Sequence, residues 1–213
     1  AFKLAQQIAQ GKFSHTEQKQ EQLAEQAIRT ALAIFTEGLT AAPIQGIAQV
    51  KIKTNADKTR YLAIYFAGPI RSAGGTDQAL TLVVGDYVRR ELDLDKYKPT
   101  EEEVSRFIEE LRLYERSVGR FQYHIPDEEL RKALNLIPVE CTGTESDPVE
   151  VSSYRNLERV ETNRVRGGAL RVVNDGIVGR AQKVYVIIEK LGFQGWEWLK
   201  NFKKKSEKKS GGF

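Results

Sequence analysis

Residues 61–92, YLAIYFAGPIRSAGGTDQALTLVVGDYVRREL, constrain the fold more than any other stretch of this chain. Tyr61 to Phe66 is a short apolar run of the kind that forms a buried strand. The run breaks at Gly68-Pro69 and passes through Arg71, Ser72, Gly74, Gly75 and Thr76. From Gln78 onward Leu80, Val83, Val84, Tyr87 and Val88 return on one helical face, which predicts a helix over 77–91. Strand, glycine-rich loop with an arginine, and helix is a common way to hold a phosphate, because first-turn N–H groups and the helix dipole favour an anion. The loop follows neither the Walker pattern nor G-x-G-x-x-G. Two readings of 68–76 stay open: a turn whose glycines supply positive φ or close packing, with Arg71 in a structural ion pair, or a phosphate contact.

The same grammar recurs at Asn163-Arg164-Val165-Arg166-Gly167-Gly168, where two arginines precede a glycine pair at the start of a predicted long helix. In that helix Leu170, Val173, Ile177, Ala181, Val184, Ile188 and Leu191 recur at three and four, and Gly192 closes it. Gly176 and Gly179 inside it call for close packing of another element. Arg155, Arg159, Arg171, Arg180 and Lys183 add positive charge, and Glu158, Glu161 and Asp175 can pair with it. This face is therefore either self-paired and solvated or turned toward nucleic acid.

Helices are also expected over 2–8 and 16–35, with Gly38 as a stop for the second. Ile47 to Lys53 alternates apolar and basic residues, so with 61–66 it predicts a hairpin. Thr100 and Glu103 have capping-box spacing ahead of the stripe Val104, Phe107, Ile108, Leu111 and Tyr114. Pro126 precedes another helix. Phe121–Ile125, Ile137–Cys141 and Val149–Ser153 are strand candidates, and Trp196 to Phe202 a short last helix or turn that packs as a lid. The expected fold class is α+β: a helix-rich compact domain with a small mixed or antiparallel sheet, plus N-terminal helices. Its divisions are 1–46 (helical), 47–202 (α+β) and 203–213 (basic tail or linker).

A net charge of +4 owes much to Lys203, Lys204, Lys205, Lys208 and Lys209, so any nucleic-acid role must rest on local clusters. No apolar run approaches the ~20 residues that cross a bilayer, and no signal peptide opens the chain. The single Cys141 excludes an internal disulfide and suits a buried strand position. A cytoplasmic, intracellular protein is expected. His15 and His124 lack companion metal ligands, and Ser72 lacks a nucleophile setting. Tyr61, Tyr65 and Phe66 read as core rather than as base-stacking platforms.

As strings, several segments are specific. Besides 61–92 they are GKF at 11–13, AIRTALAIFTEGLTAAPIQGIAQVKIK at 27–53, RFQYH at 120–124, VETNRVRGGAL at 160–170 and GWEWLK at 195–200. In this order they resemble the N-terminal region of the large subunit of archaeal family D DNA polymerases, the DNA polymerase II large subunit. The resemblance runs from about Gly11 to Phe202. It implies a fragment without the catalytic centre, whose Asp-x-Asp-type cluster and zinc cysteines lie far towards the C-terminus of the family's subunit. Asp93 and Asp95 do not have the family's active-site context, and the start at Ala1 without any methionine agrees with an internal piece.

What the resemblance implies is a non-catalytic architectural domain of a replicative DNA polymerase. It would dock on the remainder of the large subunit and line the DNA path, beside a small subunit with 3′–5′ exonuclease activity. Mg²⁺ and Zn²⁺ would belong to the full-length subunit, and this fragment would hold no cofactor. The candidate nucleic-acid contacts are Arg71, Ser72, Gly74, Gly75, Thr76, Arg164, Arg166, Arg180 and Lys183. Two other readings are a phosphate-binding, sugar-phosphate isomerase-like enzyme domain using the 68–76 loop, and a pure subunit-interaction module.

Overall fold

The hairpin forms where the alternation placed it. In the computed structural model, which describes residues 1–12, 19–36 and 41–203, β1 (Ile47–Thr54) pairs antiparallel with β2 (Arg60–Phe66). A third strand, β3 (Glu140–Gly143), lies parallel to β2, so the sheet is mixed with order β1-β2-β3. The central strand is covered on both faces, which is why 61–66 reads as an unbroken apolar run. Leu62, Ile64 and Phe66 enter the main core. Tyr61, Ala63 and Tyr65 face the other way, under Tyr97 and an ionic layer that includes Lys53–Glu140 (2.8 Å) and Arg159–Glu103 (2.6 Å).

The helices are α1 (Phe2–Ala9), α2 (Gln20–Phe35), α3 (Ala42–Gln45), α4 (Gly75–Glu91), α5 (Glu101–Ser117), α6 (Asp127–Leu136), α7 (Gly167–Arg171) and α8 (Ala181–Lys190). The Thr100 hydroxyl accepts from Glu103 N while the Glu103 carboxylate accepts from Thr100 N, so the expected capping box starts α5. α1, α2 and α4 contribute to one contiguous apolar core with the sheet and α5–α8. Cys141 is buried in β3, and burial pushes its thiol well above the usual range. The expected stop at Gly38, His15 and all of the basic tail except Lys203 lie outside the described residues.

Three expectations need correction. Residues 121–125 and 149–153 are not strands; the second touches a neighbour only through the bridge Glu150–Arg164. At 121–125 distant side chains replace a sheet partner for the backbone, and at 149–153 they add to the two backbone bonds of the bridge, Val151 N to Asn163 O and Val165 N to Val149 O. Asp175 accepts from Gln122 N and Tyr123 N, and Asn174 donates to Tyr123 O. Glu109 accepts from Ser152 N, Ser153 N and Tyr154 N. Nor is the helix from Gly167 continuous. α7 widens into a π-helical segment, Val172–Val178, and breaks at Gly179–Arg180 before α8. The widened turn accommodates the 121–123 loop, whose Tyr123 ring lies 2.3 Å from where a Cβ on Gly179 would stand. Close packing against both inner glycines, as expected, is present: Gly176 lies against the backbone of α4.

Candidate functional site

The 68–76 segment is a 3-10 turn, Gly68–Ser72, followed by α4, which begins at Gly75 rather than 77. None of Gly68, Gly74 and Gly75 has the left-handed φ that would demand glycine; Gly11, Gly192 and Gly195 do. Gly68 faces open space. Gly75 is needed for another reason: a Cβ there would stand 2.4 Å from Arg180 Nε and 2.9 Å from the Asp175 carbonyl oxygen. Ser72 donates to Pro69 O at 2.8 Å and caps the turn. Thr76 is half-buried in the first turn of α4, and no side chain caps that turn.

The two glycine–arginine motifs meet. Arg71 donates to Asp147 at 2.6 Å, and the same carboxylate oxygen accepts from Ser146. The Ser146 hydroxyl in turn accepts from Gly167 N, so one short chain of hydrogen bonds ties the 3-10 turn to the start of α7. From there the arginines diverge. Arg166 is 3% exposed, and the structure removes it from the candidate nucleic-acid contacts. Its guanidinium donates to Glu110 at 2.8 Å and to the Thr142 hydroxyl at 2.9 Å, and its backbone N–H also goes to Glu110. Burial opposes its charge, but Glu110 outweighs burial and holds the group above its ordinary value. Buried Arg106 shares the same carboxylate at 2.7 Å. Arg164 is exposed and pairs with Glu145 at 3.2 Å.

Arg71, Arg120, Arg171 and Arg180 line an open cleft of about 390 Å³ beside Gly74 and Gly75, at the N-terminus of α4. Each comes from a different segment: the 3-10 turn, the loop after α5, the end of α7 and the residue before α8. Arg171 donates to Asp175 at 3.0 Å and to Arg120 O at 2.9 Å, and lies over the Tyr114 and Phe121 rings. Arg180 donates to the Gln122 side chain at 2.8 Å and lies over the Tyr123 ring. Arg120 is exposed. Asp175 is the carboxylate in the lining; burial raises it, against hydrogen bonds from Asn174, Arg171, Tyr123 N and Gln122 N. Lys183 is exposed one turn along α8 from Arg180.

Of the sequence candidates, Arg71, Gly74, Gly75 and Arg180 come together at the cleft, while Arg164 and Arg166 stand apart from it. Arg120, Arg171, Gln78 and Asp175 were not among them. Arg120 opens RFQYH, and Arg171 and Asp175 have i,i+4 ion-pair spacing, but neither signal points to a cleft without the fold. His124 is exposed and pairs with Glu115 at 3.4 Å. Among the described residues no three His, Cys, Asp or Glu side chains are grouped to hold a metal ion. No helix among them is long and apolar enough to cross a membrane.

Fold and cleft together define a helix-rich α+β domain with an open, arginine-lined cleft. Residues 1–205 match the family model for "DNA polymerase II large subunit DP2, N-terminal", and the chain belongs to that family. It is 55% identical over 97% of its length to the DNA polymerase II large subunit of Methanococcus vannielii. It is 53% identical over 98% of its length to those of Pyrococcus horikoshii and Thermococcus kodakarensis. It spans only 18%, 14% and 12% of these three relatives, respectively, so it corresponds to an N-terminal fragment of such a subunit.

Proposed function

We propose that this chain is a non-catalytic, architectural domain of a replicative DNA polymerase large subunit, docked on the rest of that subunit and lining the DNA path. Template-directed synthesis would lie in the remainder of the large subunit, with its Mg²⁺ and Zn²⁺, and 3′–5′ exonuclease activity in a small subunit. The observation that carries the reading is the convergence of four arginines from four segments on one open cleft. Exposed Lys183 extends that positive edge along α8. Contacts of this kind hold the phosphate backbone and carry no sequence information. A phosphate-processing enzyme is less well supported, since a general base is wanting: both Asp175 oxygens already accept from Gln122, Tyr123, Asn174 and Arg171.

The test uses the full-length large subunit with its small subunit. Alanine at Arg71, Arg120, Arg180 or Lys183 is expected to weaken binding to all sequences alike. Each lost contact should flatten the dependence of log K on log salt by about 0.9 on duplex DNA. Unchanged slopes together with a lowered Tm would make these residues structural and overturn the reading.

A further inference from the structure

We infer that residues 156–163 form a latch pinned by Arg159, and that the rest of the domain builds a guanidinium seat for this pin. The seat accepts either Arg159 or an arginine presented by another protein segment.

Every acceptor of the seat lies outside the latch. The two oxygens of Glu103 take Arg159 Nε at 2.7 Å and Nη2 at 2.6 Å as a fork. Lys98 O accepts at 3.0 Å and Asn55 Oδ1 at 3.3 Å. The Tyr61 and Tyr97 rings, 4.9 Å apart, lie 5.5 and 5.3 Å from the guanidinium carbon. The body holds these groups in place. Glu103 accepts from Thr100 N and the Tyr97 hydroxyl, and Asn55 donates to the Thr59 hydroxyl and Lys96 O while its Oδ1 accepts from Lys98 N. The other charges nearby are committed: Lys53 pairs with Glu140, and Lys98 with Asp57 and Asp95. Arg159 is therefore the cation of Glu103. A carboxylate fork beneath two ring faces selects guanidinium over ammonium.

The latch itself is joined loosely. Asn156 and Asn163 exchange hydrogen bonds of 2.8 and 2.7 Å at its base, so its ends meet as in a compact surface loop. Val160 is buried yet stands outside the contiguous apolar core, and it shares a cavity of about 30 Å³ with Val104, Phe107 and Cys141. A second cavity, of about 290 Å³, lies between Leu157, Glu158 and Arg159 on one side and Asn55, Thr100 and Glu102 on the other. Gaps along this seam forgo the close contacts that bind a core together. The remaining ties are polar: Glu161 accepts from Lys51 at 3.0 Å and from the Tyr65 hydroxyl at 2.9 Å, Arg159 O from Lys53 at 2.6 Å, and Thr162 O, at the base, from Arg106 at 2.6 Å. Lifting Arg159 alone leaves Glu103, 7% exposed, without a cation, so the latch stays shut until another cation takes the seat. The larger cavity is the way in, and beside the Arg159–Glu103 pair its walls set Glu102 and Glu158 against Lys58.

Arg159→Ala empties the seat. Titration calorimetry of that variant should show methylguanidinium binding about tenfold or more tighter than methylammonium, the worth of one further charge-assisted bond. Methylguanidinium should also raise the variant's Tm. Equal affinities, or no binding of methylguanidinium, overturn the inference. Exchange is read by NMR in the wild-type chain. Argininamide should shift the Val160 methyl signals toward their positions in the methylguanidinium-loaded variant, and lysinamide at the same concentration should not. Such shifts assign a seat open to a second arginine. Val160 signals that ignore argininamide, or follow lysinamide equally, assign one closed to all but Arg159 and overturn the inference. Should Arg159→Ala not fold, the contrast between argininamide and lysinamide in the wild type still decides.

Discussion

Arg166 and Arg180 lie in the same stretch of helix-forming sequence, each beside a glycine in space, yet one is enclosed and the other lines a cleft. Both glycine motifs turn out to be devices for close packing. A Cβ on Gly167 would meet Arg71 Nη2 at 2.8 Å, just as one on Gly75 would meet Arg180 Nε. What separates the two regions is a carboxylate. Glu110, fully buried on α5, receives both Arg106 and Arg166 and makes that site self-contained. At the cleft the lining carboxylate, Asp175, is committed to Arg171 and to the 121–123 loop, and among the described residues no carboxylate pairs with exposed Arg120. An arginine beside glycines therefore lines an open cleft only where no buried carboxylate encloses it, as Glu110 encloses Arg166.

The largest expected effect tests the enclosed side. Glu110→Ala strips the shared carboxylate from two buried guanidinium groups, and breaking a buried pair costs about 3–5 kcal/mol. Arg120→Ala, an exposed change, should stay within about 0.5 kcal/mol. Thermal melts of the two variants compare the regions directly. Similar Tm values would mean that Glu110 is solvated and that the contrast between the two arginine sites is false.

A smaller effect separates the two glycines of the 68–76 segment. Gly75→Val must push aside Arg180 and the Asp175 backbone, an overpacking cost of about 1–3 kcal/mol. Gly68→Val meets nothing within 4 Å and has no left-handed φ to strain it, so its change should be about 0.5 kcal/mol or less. Equal losses in chemical denaturation would show that the segment needs glycine for backbone freedom after all.

These sites also show what the sequence makes legible. Thr100 and Glu103 are neighbours in the chain, so the start of α5 is written locally; so is the β1–β2 hairpin, whose register follows from alternation over 47–66. The false strands at 121–125 and 149–153 have the right local apolarity, but the amides of 122–123 go to Asp175 and those of 152–153 to Glu109, some 52 and 43 positions away. Arg166 misleads for the same reason: Glu110 is 56 residues upstream, and nothing near 163–168 announces it. Part of the cleft was legible: Arg71 and Gly75 as arginine and glycine at a helix start, and Arg180 as positive charge along the helix predicted from Gly167. Arg120 and Gln78 carry no local sign, because only the packing of the π-helical segment on α4 and the 121–123 loop brings them to it.

The smallest effect concerns acid and divides the regions by sign. Burial alone would raise the Glu109 carboxyl, but backbone hydrogen bonds from Ser153, Ser152 and Tyr154 and the Ser152 hydroxyl outweigh it and hold it below its ordinary value. A carboxyl depressed on folding contributes stability that is present above its unfolded value near 4.5 and is lost as pH falls through the lower folded value. Asp175 at the cleft is shifted the other way: burial raises it, so the folded chain takes up that proton first and gains relative stability as pH falls through the raised value. Tm measured from neutral pH down through the carboxylate range should therefore fall less steeply in Glu109→Gln than in the wild type, and more steeply in Asp175→Asn. Hydrogen exchange localises the first effect, since the amides of Ser152, Ser153 and Tyr154 should lose protection in acid before the strands do. If those three amides stay protected below the folded value, the 150–156 loop is held by something other than Glu109. Parallel pH profiles for the two variants would show that the two carboxylates do not differ in the way their surroundings require.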